Sequence, residues 1–170
     1  MLHLITGGSG SGKSAFAESC ILDFNGDKRI YIATMYPFDE ESHARIRRHR
    51  QMRKEKRFET IECFTHLKNV ELPKGSHVLL ECMSNLVANE IYQEGGAGVD
   101  TVQAVMEGVV HLLDECEHLV IVTNEIFTDG IEYPEETVNY QRILGEINQR
   151  IAELADRVTE VVYGIPICHK

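Results

Sequence analysis

Apolar residues along this 170-residue chain fall in short runs, separated by longer stretches with helical spacing. Leu2-His3-Leu4-Ile5-Thr6 reads as a buried strand, and residues 15–22 have the spacing of a helix. Asn25-Gly26-Asp27 marks a turn, and the β-branched and aromatic run 28–34 gives a second strand. Residues 58–63 read as a short strand, and Pro73-Lys74-Gly75-Ser76 as a turn. The apolar run 77–82 predicts a buried strand that ends on an acid, followed by a helix over 83–92. Gly95-Gly96-Ala97-Gly98 breaks that helix and reads as a flexible connector, because no strand precedes it. A helix follows over 100–117, with Val102, Val105, Met106, Val109, Val110, Leu112 and Leu113 as its apolar positions. The strand 118–123 ends in Asn124-Glu125, and 126–135 is a loop. A long helix over 136–156 and a last strand over 158–163 complete the pattern. Alternating buried strands and helices predict an α/β fold with a mainly parallel, helix-flanked sheet.

Length and composition narrow the class. A chain of 170 residues suits one domain with a sizeable core, and no linker, repeat or second domain interrupts it. No apolar run approaches membrane-spanning length and the chain starts directly in a strand, so the expectation is a cytoplasmic protein with no membrane partner. Cys20, Cys63, Cys82, Cys116 and Cys168 are dispersed, with no C-x-x-C pair, which argues against a disulfide framework or a structural zinc. The net charge is −10, yet residues 43–57 carry eight Arg or Lys and one acid. That segment is +7 and the remainder −17. A nucleic-acid binder would more often be basic overall, so the pattern is that of a local anion site on an acidic protein.

The chemistry starts at Gly7-Gly8-Ser9-Gly10-Ser11-Gly12-Lys13-Ser14, which is G-x-x-x-x-G-K-S between a strand and a helix. Glycines let the backbone curl until several N–H groups point at one phosphate, with a helix N-terminus behind them. Lys13 is placed to reach the β- and γ-phosphates, and the Ser14 hydroxyl to hold Mg²⁺. The strand–loop–helix context sets this apart from a Gly/Ser-rich turn with a chance lysine. The expected fold is therefore a single P-loop NTPase-like domain over 1–170.

Further candidates lie at strand ends, where open α/β sheets place their ligands. Thr34, Met35 and Tyr36 follow the second strand and are candidate pocket lining, or an ordinary strand exit. Glu81 ends an apolar strand, as a metal-holding Walker B acid does; the alternative is an edge carboxylate facing solvent. Between them, Asp39-Glu40-Glu41 would start a helix over 39–56, with Arg45, His49 and Arg53 on one face. Two readings stand: a solvated charged helix, or arginines on a polyphosphate with His49 doing chemistry on it. Neighbouring cations disfavour imidazolium, and a neutral imidazole is a competent nucleophile.

Taken together, these residues resemble the bifunctional adenosylcobinamide kinase/adenosylcobinamide-phosphate guanylyltransferase family, nearly end to end. The resemblance rests on Ile5-Thr6-Gly7-Gly8 leading into Gly12-Lys13-Ser14, on Tyr31-Ile32-Ala33-Thr34 and on Ala44-Arg45-Ile46-Arg47-Arg48-His49-Arg50. Thr60-Ile61-Glu62, Leu79-Leu80-Glu81-Cys82, Val122-Thr123-Asn124-Glu125, Gly145 with Asn148-Gln149, and Ala155-Asp156-Arg157-Val158 extend it. The P-loop alone would say only NTPase; its co-occurrence with A-R-I-x-x-H, L-L-E-C and V-T-N-E is far more specific. The resemblance implies phosphorylation of adenosylcobinamide with ATP or GTP, then transfer of GMP from GTP to the corrinoid phosphate. It implies that His49 carries the GMP covalently, with Lys13 as the second catalytic group. It implies guanine-nucleotide contacts at residues 7–14, at Thr34, Met35 and Tyr36, at Arg50, Gln51, Met52 and Arg53, and at Glu62 and Glu81. Mg²⁺ at Ser14 and Glu81, and a homotrimer, complete the expectation. The chain departs from the family pattern at 126–134, at Tyr140-Gln141-Arg142 and at Ser9-Gly10. A second reading is a monofunctional small-molecule P-loop kinase with the basic helix as a phosphate lid. A third is a nucleotide-binding regulatory module that offers the basic helix to a partner such as RNA.

Overall fold

The computed structural model describes residues 1–37, 47, 56–127, 130 and 132–170. Seven strands form one sheet in the order β3-β2-β4-β5-β1-β6-β7. They are β1 (Leu2–Thr6), β2 (Arg29–Ala33), β3 (Phe58–Glu62), β4 (His77–Leu80), β5 (His118–Val122), β6 (Arg157–Val162) and β7 (Ile165–Cys168). β1 through β6 pair in parallel, and β7 runs antiparallel to β6. Among the described residues the longer helices are α1 (Lys13–Leu22), α2 (Met83–Tyr92), α3 (Thr101–Glu115) and α4 (Glu135–Leu154).

Strand alternation sends successive side chains to opposite faces, and both faces are covered. On one, Ile5, Tyr31, Leu79, Val120 and Val161 pack against Ala17 and Ile21 of α1. On the other, Leu4, Ile32, Leu80 and Ile121 meet Leu86 of α2, Val109 of α3 and Ile147 of α4. Burial on both faces is why β1, β2, β4 and β5 read as near-continuous apolar runs. Removing one of these side chains, as in Leu86→Ala, costs about 2–5 kcal/mol.

Three features differ from the sequence expectation. Residues 165–168 form β7, whose four residues are all exposed. A strand that buries nothing gives no hydrophobic signal, and Pro166 is tolerated because β7 is the sheet edge. The two long helices end two residues short of their expected ends, at Glu115 and Leu154, where Cys116 and Ala155 take extended backbone. The 95–98 cluster is tied down rather than a loose connector. The buried Glu90 carboxylate accepts from His66 N (2.6 Å) and from Ala97 N (2.9 Å).

Candidate active site

Parallel strands bring their carboxyl ends to one edge, so β1, β2, β3, β4 and β5 all deliver chain to the same rim. Residues 7–14 leave β1 there and turn into α1. Gly7 is close-packed: a Cβ would lie 2.5 Å from Val161 O and 2.7 Å from Ser11 Oγ. Gly12 caps α1 with φ +92, a left-handed conformation that favours glycine. The loop so formed aims a helix N-terminus outward.

Lys13 is buried, and its Nζ donates to Gly8 O at 2.9 Å. Burial lowers its pKa, and the neighbouring Cys82 acts in the opposite sense. An ammonium held back against its own loop by one carbonyl keeps donors for phosphate oxygens. Ser11 Oγ is buried without a hydrogen-bond partner, which is costly unless a ligand engages it. Ser14 is exposed in the first turn of α1.

The neighbouring strand ends are laced together. Thr34 Oγ1 donates to Cys82 O (2.9 Å), and Asn89 Nδ2 of α2 donates to Thr34 O (2.8 Å). Thr34 thereby ties β2 to the chain leaving β4. Met35 is half-buried, and Tyr36 is exposed and packs edge-on against Phe64 with centroids 5.1 Å apart. Glu81 follows β4, half-buried, with its N–H on Ile32 O (3.2 Å). Burial pushes the Cys82 thiol up. Glu62 ends β3 and lines a cavity of about 520 Å³ with Cys63, Phe64 and His66.

Strand order sets the spacing between these residues. β5 stands between β1 and β4, so Glu81 lies two strands from the P-loop strand, Thr34 three and Glu62 four. At about 4.8 Å per strand, the P-loop and Glu62 are separated by about 19 Å along the rim. The structure thus groups the P-loop with the residues after β5 and β4, and sets Tyr36 and Glu62 at the far end. His49, Arg50, Gln51, Met52 and Arg53 lie outside the described residues. The chain leaves toward them at Pro37 beside β2 and returns at Lys56, whose ammonium pairs with Glu18 of α1.

Two groups join the site that the candidate residues above do not include. Glu125 N donates to Gly7 O (3.1 Å), which sets the Glu125 backbone directly beside the P-loop, while its carboxylate accepts from Phe127 N (2.9 Å). Asn124 bridges to α2, its N–H on Ser84 Oγ (3.3 Å) and its Nδ2 near Cys82 Sγ (3.7 Å). Both stand at a strand's carboxyl end, which was the available signal. Which acidic residue's backbone meets the loop depended on strand order.

Known proteins resemble the chain over nearly its whole length. Residues 3–168 match the family described as cobinamide kinase / cobinamide phosphate guanyltransferase. The bifunctional adenosylcobalamin biosynthesis protein CobU of Salmonella typhimurium is 35% identical over 182 residues, covering 98% of each chain. Its Escherichia coli namesake is 33% identical over 181 residues, again covering 98% of each. CobP of Pseudomonas aeruginosa, a bifunctional adenosylcobalamin biosynthesis protein by name, is 29% identical over 171 residues, 98% of this chain and 96% of that one. Among solved structures, the KaiC-like protein PH0186 from Pyrococcus horikoshii shares the fold, with a TM-score of 0.51 and 14% identity over 94% of this chain and 71% of that one. The match over residues 3–168 and the end-to-end similarity to these relatives place this enzyme in the bifunctional cobinamide kinase / cobinamide phosphate guanyltransferase family.

Proposed function

We propose that this enzyme phosphorylates adenosylcobinamide and then converts the phosphate to adenosylcobinamide-GDP, on a single P-loop domain spanning residues 1–170. The observation that carries the reading is the loop 7–14, with the Lys13 ammonium folded onto it and the buried Ser11 hydroxyl unpartnered. In the first step the aminopropanol hydroxyl attacks the γ-phosphorus of ATP or GTP. The bond from that phosphorus to the β-phosphate oxygen breaks, and the nucleoside diphosphate leaves. Lys13 and the loop amides offset the charge that builds on the departing oxygens.

In the second step an imidazole nitrogen of His49 attacks the α-phosphorus of GTP, and pyrophosphate leaves. An oxygen of the corrinoid phosphate then attacks the guanylyl phosphorus, and the phosphorus–nitrogen bond breaks. Splitting the transfer in two requires a nucleophile on the protein, and the flanking arginines stabilise the phosphates. Residues 7–14, Thr34, Met35, Tyr36, Arg50, Gln51, Met52, Arg53, Glu62 and Glu81 contact the guanine nucleotide in this reading.

The residues present fit Mg²⁺. The exposed Ser14 hydroxyl and the Glu81 carboxylate at the same rim are hard oxygen donors of the kind Mg²⁺ takes, and they would hold it. When bound, the ion would neutralise negative charge on the triphosphate. The reading includes a cytoplasmic homotrimer, for which the exposed Ile165 and Ile167 of β7 offer an apolar edge.

The test is incubation with Mg²⁺ and GTP labelled at the α-phosphate, for wild type and His49→Ala side by side. Acid-labile, alkali-stable label on the wild type alone supports the phosphoramidate. Absent label with γ-phosphate transfer to cobinamide intact would reduce the enzyme to a kinase.

A further inference from the structure

The turn between β6 and β7 holds an unusual residue at a functional place. Register closes it to two residues, since Val162 pairs with Ile165. Both central residues have positive φ, Tyr163 at +51 and Gly164 at +78. Tight hairpins of that kind favour Asn-Gly or Asp-Gly, and an aromatic residue in the left-handed region is strained. Tyr163 gains no burial in return: it is 93% exposed. A strained position retained without a packing benefit is where a functional role is sought.

The turn also touches the phosphate loop directly. Gly164 N donates to Ser11 O at 2.7 Å. The Cβ position of Gly12 lies only 3.3 Å from Gly164 Cα. An exposed aromatic ring therefore stands one residue from a contact to the loop backbone, on the β6–β7 side of β1. Thr34 and Glu62, two of the residues expected to contact the guanine nucleotide, lie on the other side of β1. Measured from β1 they are about 14 and 19 Å off along the rim, three and four strand spacings.

We infer that Tyr163 is the stacking platform for the nucleobase of the triphosphate that donates its γ-phosphoryl group. The inference rests on the P-loop reading above and adds a base subsite to it. With phosphates in residues 7–14, a base laid over the β6–β7 turn leaves the opposite side, past β5 and β4, open for the acceptor. Stacking needs only a π-face, so this subsite accepts adenine and guanine alike. The left-handed backbone presents the ring outward from the hairpin, and the Gly164–Ser11 bond fixes its place relative to the phosphates.

The test uses the full chain with Mg²⁺, a non-hydrolysable ATP analogue and inorganic tripolyphosphate as separate titrants. Tyr163→Asn is the informative variant, because asparagine suits positive φ and keeps the hairpin. The expected result is analogue affinity weakened about tenfold or more, with tripolyphosphate affinity unchanged. Tyr163→Phe restores the analogue affinity. The chain has no tryptophan, so Tyr163→Trp adds a single reporter whose emission responds to the analogue and not to tripolyphosphate. Equal analogue affinity in wild type and Tyr163→Asn overturns the proposal, as does a parallel loss for both titrants, which would make the turn a mere support of the loop. A changed oligomeric state with unchanged analogue affinity overturns it too, and assigns the ring to a subunit contact. Failure of wild type to bind tripolyphosphate removes the P-loop reading itself.

Discussion

Replacing Gly7 with alanine tests the close packing that shapes the phosphate loop. The added Cβ meets Val161 O at 2.5 Å and Ser11 Oγ at 2.7 Å. The Ser11 side chain can rotate away, but Val161 O belongs to the backbone of β6, which pairs with β1 over four registered positions. The strand must shift or the loop must open. Overpacking of this kind costs about 1–3 kcal/mol, and a φ of +154 adds strain of about 1 kcal/mol. For a chain of this size each kcal/mol lowers Tm by about 2–4 °C, so the expected fall is roughly 4–16 °C. Gly8→Ala is the control one residue along, where a Cβ has nothing within 4 Å. It is expected to melt within about 2 °C of wild type. Thermal denaturation by circular dichroism reads both. Equal melting of the two variants would refute the idea that the β6 backbone, and not loop composition, demands glycine at position 7.

Lys13→Met should lower phosphoryl transfer by about 10²–10³-fold, the scale for losing one preorganised charge-stabilising donor. Its Tm should hold or rise, since the buried ammonium is disfavoured where it lies, as its lowered pKa indicates; a large fall in Tm would make the lysine structural. Acid should destabilise the fold through His3 and His118, whose folded pKa values are lowered, chiefly by burial. The unfolded chain binds protons first at these sites, so their contribution is intact above about pH 6.5 and is lost as pH falls below it. Urea midpoints at pH 7.5 and 5.5 measure the loss, and His3→Gln should shrink it. Glu90→Ala should cost about 2–5 kcal/mol in urea denaturation, because two backbone N–H donors lose their acceptor. Glu90→Gln, which keeps one acceptor oxygen, should recover about half.

The sequence by itself determined every feature that short-range physics controls. Five of the seven strands carry fully buried side chains and stood out by their apolar and β-branched residues, whereas β3 holds only part-buried ones. The phosphate loop was legible because its glycines, Lys13 and Ser14 act within eight consecutive residues. Thr34 and Glu81 were recognisable as strand-end residues, Glu62 entered only through the family resemblance, and the parallel sheet does bring the three to one rim. Tertiary structure alone decided how that rim is spaced. Inserting β5 between β1 and β4 makes Glu125 the immediate neighbour of Gly7 and sets Glu62 about 19 Å away, four strand spacings along the rim. It also supplied β7, which buries nothing and so leaves no periodic trace. The same antiparallel return brings Gly164 against Ser11 across most of the chain's length. Local propensity acts over a few residues, whereas strand order is fixed by which buried faces pack together, and no single segment carries that information.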